Sequence, residues 1–315
     1  MPNTRLRIVH IGLGDIARKA YLPLTATHPD ITPLLCTRNE HVLEELSQQY
    51  RIKDTFNNLD ALIASRPDGA MIHTATDSHL SIAKQLLSAG IPIFVDKPVS
   101  DSSAATTDLF TMARERDVPL FVGFNRRYAP LISKLRKGPK PHHIRWQKHR
   151  VNLPGKPRTF IFDDFIHVVD SLLFLTDGTP EDIQVHYQMD GENLASLQVQ
   201  WTDNGTLFSG SMNRVSGHTE ERVEFFAPGL KVQIEDLHSG VEYKDDRRLE
   251  LRFGNWEPTL YKRGFVTMID EWLEVVRCKS FSAAAAERDL RTHWVCEEVL
   301  GRVLAATDQS RHAGY

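Results

Sequence analysis

Three short stretches of this sequence carry residue types and spacings that could bind a phosphate or move a proton. The first is VHIGLGDIARKAYLPL, with Gly12-x-Gly14-x-x-Ala17. A first glycine permits a tight turn, a second lets a pyrophosphate approach the backbone, and a small third residue lets helix and strand pack closely. A helix starting there would add free N–H groups and a partial positive charge. Gly12, Gly14, Asp15 and Ile16 are therefore the dinucleotide-binding candidates of this turn. The second stretch is FVDKPVSDS, where Lys97 follows an apolar run. Partly desolvated beside a cationic cofactor ring, such a lysine has a lowered pKa and can act as an acid or hydrogen-bond donor. The third is FDDFIHVVDSLLFL, in which Asp163, His167 and Asp170 are spaced to share one face of a helix. A carboxylate one turn before a histidine can orient the ring and stabilise its charged form, as a proton shuttle requires. Each stretch also has a plainer local reading. Lys97 could be a solvated loop residue, Asp163 or Asp164 a helix cap, and His167 a satisfied core histidine. No further ligand cluster supports a metal at Asp163 and His167, so none is expected.

These candidates need elements to position them. From residue 5 to about 124, apolar segments such as LRIVHIG, ITPLLC, GAMIHT, IPIFVDK and PLFVGFN alternate with amphipathic helical stretches. Strands apolar on both faces and separated by helices imply a parallel sheet covered on both sides, a doubly wound α/β domain. The glycine turn then follows the first strand and Lys97 the fifth, beyond whose carboxyl ends ligands bind. An NAD site usually has an acid at the end of the second strand to meet the ribose 2′-OH; here LLCTRNE places Thr37 and Arg38 there. A hydroxyl and a guanidinium suit a 2′-phosphate, which favours NADP(H), with NAD(H) as the alternative if Glu40 supplies the acid and Arg38 is merely solvated. After a helix around 163–175, the segments IQVHYQM, LASLQVQW, TLFSGSM, RVEFFAP and LKVQIED alternate between turn residues, which indicates an antiparallel sheet. Two helical patterns, one of them FVTMIDEWLEVV, close the chain. The boundary near 124 gives domains 1–124, for the dinucleotide, and 125–315, for substrate binding and oligomerisation.

Together these residues carry a resemblance. The glycine turn, DKP after the fifth strand, GFNRRYAP after the sixth and DDFIHVVD occur in the order seen in the Gfo/Idh/MocA oxidoreductase family. Nearly the whole chain resembles that family, and it looks closest to the branch named after the virulence-factor protein MviM. The resemblance implies a Rossmann domain followed by an α+β domain with a large open, mainly antiparallel sheet. It implies hydride transfer between a nicotinamide and a hydroxyl or carbonyl of a sugar, polyol or cyclitol. Lys97 would hold the reacting oxygen, Asp163 and His167 would be the family's Asp-x-x-x-His pair with His167 exchanging the proton, and Pro98 matches a proline that is often cis. Thr74, His79, Asp96 and Lys97, with Asn125 and Arg127 of the G-x-N-x-R segment, would lie at the cofactor. A homodimer or homotetramer packed through the second domain's sheet is also implied, and the apolar alternation in LASLQVQW and TLFSGSM offers a face that needs cover. Three departures stand out. Asp96 replaces the commoner glutamate, Thr74–Ala75–Thr76 replaces a T-P-N-like turn, and PRTFIFDD lacks a glycine pair where substrate is commonly met, so substrate identity does not carry over.

Composition narrows the partners. At 315 residues, 41 % hydrophobic and 25 % charged, the chain can bury two cores. A net charge of −3 without a long basic run argues against nucleic acid. No window is long and apolar enough to span a bilayer, and MPNTRLRIVHIGLG enters a strand pattern without a leader-like apolar run. Cys36, Cys278 and Cys296 are widely spaced, which fits a reducing, cytoplasmic setting. The expectation is an oxidoreductase acting on a small carbohydrate-like molecule; the rival is a nucleotide-binding regulatory or scaffold protein that keeps the fold without turnover.

Overall fold

The structure, a computed structural model, describes residues 5–176, 178–280 and 282–312, with side chains described through residue 305; the outer ends of both expected domain ranges, 1–4 and 313–315, lie outside the described residues. The chain divides into two compact units. The first runs to Gly123 and takes in Phe265–Glu287; the second comprises Phe124–Gly264 and resumes at Arg288.

In the first unit, β1 (Leu6–Ile11), β2 (Ile31–Cys36), β3 (Thr55–Phe56), β4 (Gly69–Ile72), β5 (Ile93–Val95) and β6 (Leu120–Val122) form one sheet in the order β3-β2-β1-β4-β5-β6. Every pairing is parallel. The strand order reverses at β1, the point where such sheets open a ligand crevice. The helices Glu40–Tyr50, Thr76–Ser88 and Ser103–Glu115 connect the strands. A single boundary near 124 misses one element, because the late helix Phe265–Cys278 groups with this unit. Its buried Phe265, Ile269 and Trp272 form an apolar stripe. Trp272 lies 6.0 Å from Phe94, ring to ring, and a Cβ on Gly69 would come within 3.1 Å of it. A bare glycine on β4 is what lets the indole lie on the sheet. Burying each such side chain stabilises the unit by about 1.5–3 kcal/mol.

The second unit contains β7 (His143–His149), β8 (Glu181–Asp190), β9 (Asn193–Asp203), β10 (Thr206–Asn213), β11 (Glu220–Ala227), β12 (Leu230–Glu235), β13 (Ser239–Lys244) and β14 (Arg247–Leu251). Their order is β14-β13-β12-β11-β7-β10-β9-β8, with β7 parallel to β10 and the other neighbours antiparallel. The mainly antiparallel sheet thus has a central strand, β7, that the alternation of the later segments does not announce. Its inward positions are Ile144, Trp146 and Lys148, all buried, and a lysine at the third disguises the pattern. The helix Ile166–Leu175 closes on this sheet at Gly210, where a Cβ would meet Val168 at 2.9 Å and Leu172 at 3.0 Å. That helix answers the apolar alternation of β9 and β10: Leu197, Val199, Trp201, Phe208 and Met212 are buried within the chain, whereas Gln198, Gln200, Ser209 and Ser211 point the other way and are at least partly exposed. The outward face of β9 and β10 is thus mainly polar, although Leu207 there is 38 % exposed and Phe226 on β11 is only partly buried. Among the described residues, no helix is long and apolar enough to cross a membrane.

Candidate active site

The glycine turn after β1 has the backbone its sequence requires. Gly12 has φ +86°, a left-handed value, and a Cβ there would lie 2.6 Å from Thr74 Cγ2 and 2.8 Å from Thr74 N. At Gly14 a Cβ would meet nothing within 4 Å, so open space flanks the backbone where a phosphate would come. Ala17 is fully buried, as close helix–strand packing demands. A cavity of about 850 Å³ opens beyond β1, β2 and β4; Gly12, Thr37, Arg38, Asn57, Thr74 and Ser78 are among the residues that line it. Thr74 Oγ1 is buried without a protein hydrogen-bond partner, a polar atom left for a ligand to satisfy. An open Gly14, an orphaned hydroxyl and a cavity of this size fit a dinucleotide. Asp15 is exposed and pairs with Lys19 at 2.8 Å, and Ile16 is likewise exposed. At the end of β2, Thr37 and Arg38 line the cavity, whereas Glu40 does not; Asn39 caps the following helix through Val42 N–H (3.1 Å). Asp77 is the one carboxylate lining the cavity among the described residues, and it belongs to the helix after β4 rather than to the end of β2.

Lys97 follows β5, is partly buried, and is joined to Pro98 by a cis peptide bond. Asp96 does not reach outward. Its Oδ1 accepts from the Lys97 N–H (2.9 Å) and from the Tyr21 hydroxyl (3.3 Å). Burial pushes the Asp96 carboxyl up, against the opposing pull of Lys97. Tyr21 in turn stacks on His73 at 4.1 Å, so the start of the lysine turn is tied to the core of the sheet. His79 is buried, with its ring nitrogens 2.9 Å from the carbonyl oxygens of Thr74 and of Pro98. It straps the turn after β4 to the turn after β5.

In the second unit the third candidate stretch is built differently from a plain helical face. Residues Phe160–Phe165 form a π-helical turn that leads into the helix Ile166–Leu175. Such a turn inserts an extra residue and is frequent at functional sites. Here Asp163 is exposed, His167 is 9 % exposed, and the buried member of the acidic pair is Asp164. Asp164 accepts from Lys148, from Arg150 Nε (3.1 Å) and from Arg214 Nη2 (3.2 Å). Burial works against the charge, but these cations, Lys148 foremost, hold its carboxyl well below the usual range. Asp170 leaves the expected trio altogether: it accepts from Arg127 Nε (3.1 Å) and the Thr292 hydroxyl (3.1 Å). Arg127, expected at the cofactor, is buried between Asp170 and Asp289 and lies over the Phe124 ring at 4.7 Å. Its Nη1 comes within 2.7 Å of Asp289 Oδ1, a close ion pair. Asn125 donates to the Arg263 carbonyl at 2.8 Å. These two residues thus hold the second unit together. Sequence reasoning missed Asp164 with Lys148, Arg150 and Arg214; the doubled acid at 163–164 and a lysine in phase with Ile144 and Trp146 were the available signals. Among the described residues, no cluster of three His, Cys, Asp or Glu side chains could hold a metal.

Known proteins agree with this architecture. Residues 6–124 match the model of an oxidoreductase family with an NAD-binding Rossmann fold, and residues 130–245 match a YceM-like C-terminal domain. A crystal structure of a Gfo/Idh/MocA family oxidoreductase from Vibrio cholerae is 37 % identical, superimposes with a TM-score of 0.92, and covers 96 % of this chain and 99 % of its own. The protein called YceM from Salmonella typhimurium is 29 % identical over 93 % of this chain and 96 % of its own length. UDP-N-acetylglucosamine 3-dehydrogenase from Acidithiobacillus ferrooxidans is 28 % identical over 62 % of this chain and 63 % of its own.

Proposed function

Because the chain belongs to the Gfo/Idh/MocA family of oxidoreductases, we propose that it is an NADP(H)-dependent dehydrogenase or reductase acting on a hydroxyl or carbonyl of a carbohydrate-like molecule. The observation that carries this reading is the cavity beyond β1, β2 and β4, with Gly12 of the glycine turn and Arg38 on its lining. Bound nicotinamide supplies the acceptor or donor of a hydride. The first unit contributes Lys97, whose ammonium donates to the reacting oxygen and polarises it. The second contributes His167, which exchanges the hydroxyl proton, with Asp163 as its orienting partner. In this reading residues 1–124 with the late helix Phe265–Cys278 hold the nucleotide, and the rest of 125–315 holds the substrate. A panel of sugars, polyols and cyclitols with NADP⁺, followed by the absorbance of reduced nicotinamide, tests the proposal. A complete blank alongside tight nucleotide binding would mark a nucleotide-binding protein without turnover.

Arg38 is the specificity residue in this proposal, facing the 2′-phosphate. A charge-assisted hydrogen bond is worth about 1.5–3 kcal/mol, so Arg38→Ala should weaken NADP(H) by roughly ten- to hundredfold and leave NAD(H) within about twofold. Equal affinities of the wild type for both nucleotides, read by calorimetry, would remove the basis of the assignment. Kinship with the family also favours a homodimer or homotetramer through the second unit's sheet, whose open face carries Leu207 and Phe226 among polar side chains. Light scattering at micromolar concentration should give at least twice the 35.9 kDa chain mass, and a monomer would refute it.

A further inference from the structure

One cluster in the second unit holds more cations than the carboxylates they bond directly. Lys148, Arg150 and Arg214 all donate to the single carboxylate of Asp164. Arg126 forms a closed pair with Glu221, two parallel bonds of 2.6 and 2.8 Å. Arg263 is partly buried, yet among the described residues its side chain makes no hydrogen bond or ion pair. Burial, with Arg126 and Arg150 within Coulombic reach, lowers the affinity of that guanidinium for its proton. Asp163 acts on Arg214, and Glu221 and Asp236 on Arg263, only at longer range; in direct bonds, four of these five cations share two carboxylates, Asp164 and Glu221.

The hydrogen bonds point the same way as the charges. A carboxylate has about four lone-pair sites, and Lys148, Arg150 and Arg214 already crowd those of Asp164. Arg150 uses Nε and Nη2 there and is about a third exposed, and among the described residues its Nη1 makes no protein hydrogen bond. Arg214 is 6 % exposed, and its Nε is buried without any partner. A buried arginine donor left unmade costs more than a bond gained, so an anion meeting this cluster would lower its energy. Lys148 reports the same imbalance: burial and the neighbouring Arg126 bring its ammonium down to about 7.

We propose that Arg150, Arg214 and Arg263 form a subsite for an anionic group, a carboxylate or a phosphate, carried by the substrate. The inference rests on the reading of the second unit as the substrate-holding half. It narrows the substrate class from neutral sugars and cyclitols to sugar acids or sugar phosphates. Arginine suits either group, since its planar fork meets two oxygens at once.

Calorimetry on the full chain with saturating NADP⁺ tests it, with D-glucuronate and D-glucose 6-phosphate as the two anionic probes and D-glucose as the neutral control. At least one anion should bind tenfold or more tighter than glucose, and which one does so separates carboxylate from phosphate recognition. Arg150→Gln and Arg263→Gln should each cut that anion-to-neutral ratio by roughly ten- to hundredfold. Arg150→Lys and Arg263→Lys keep the charge and should retain part of the preference, which separates loss of recognition from loss of folding. Glucose bound as tightly as both anions by the wild type, or glutamine variants that keep the preference, would overturn the subsite. Turnover of neutral sugars without anion preference would leave the dehydrogenase reading standing and sink the subsite alone. Anion preference lost in the glutamine variants, but with no turnover of any substrate, would do the reverse.

Discussion

Replacing Lys97 with alanine is expected to cut turnover by about 10²- to 10⁴-fold while nucleotide affinity changes little. The loss is large because the ammonium is the proposed donor to the reacting oxygen, and charge that develops there has no substitute in a methyl group. Nucleotide affinity should hold for a structural reason. The cavity lining beyond β1, β2 and β4 does not include Lys97. The bond that shapes the turn runs from the backbone N–H of residue 97 to Asp96 Oδ1, and alanine keeps that N–H. The measurement is kcat on the substrate found by the panel, alongside NADP⁺ titration of the same variant. Wild-type turnover by Lys97→Ala would rule the assignment out. Parallel loss of turnover and nucleotide binding would instead make Lys97 a cofactor contact.

The largest stability effect should come from Glu221→Gln. Glu221 is 6 % exposed and accepts two bonds from Arg126 and one from Trp146 Nε1 (3.0 Å). Burial opposes its charge, but Arg126 and then Lys148 hold its carboxyl down at about 2, against 4.5 when unperturbed. Glutamine keeps the shape and removes the charge, which leaves Arg126 as a buried cation without its counter-ion. Breaking such a pair from one side costs about 3–5 kcal/mol, on the order of 10 °C in midpoint for a unit of this size. The pH dependence has a definite sign. A carboxyl whose folded value is depressed stabilises fully above its unfolded value and loses that contribution as pH falls through the folded one. The gap between wild type and Glu221→Gln, read by urea unfolding, should therefore be full above about pH 4.5 and shrink toward pH 2. A gap that stayed constant across that range would show that packing, not charge, sets the cost. Asp289 works in the opposite direction: burial raises it to about 6, so its ionisation costs stability as pH climbs from about 4 through 6.

Much of the first unit was legible from local pattern. Apolar runs of strand length, helical periodicity between them and the spacing of Gly12, Gly14 and Ala17 specify a parallel sheet with a phosphate turn on its first strand. A positive φ at Gly12 and a buried small side chain at Ala17 are demands on single residues. Lys97 could be placed after the fifth strand for the same reason. The second unit yielded less. β7, at the centre of its sheet, hides behind Lys148, whose inward position makes sense only once Asp164 is known to face it. Asp163, His167 and Asp170 look like one helical face until the π-helical turn shifts their register and buries Asp164 instead. Nothing near Arg127 in sequence announces Asp170 or Asp289, and nothing near Arg126 announces Glu221.

By itself, then, the sequence determined the kind of fold, the nucleotide turn and the order of the candidate groups, because strand and helix periods and glycine conformations are set by residues a few places apart. Tertiary structure alone decided which carboxylate meets which cation, that Phe265–Cys278 belongs with the first unit, and that Lys148, Arg150 and Arg214 crowd one carboxylate in the second. Those outcomes depend on partners as far as 247 positions apart, as with Asp30 and Arg277, and on burial. Burial turns a charge from a solvated ornament into a group that must find a partner.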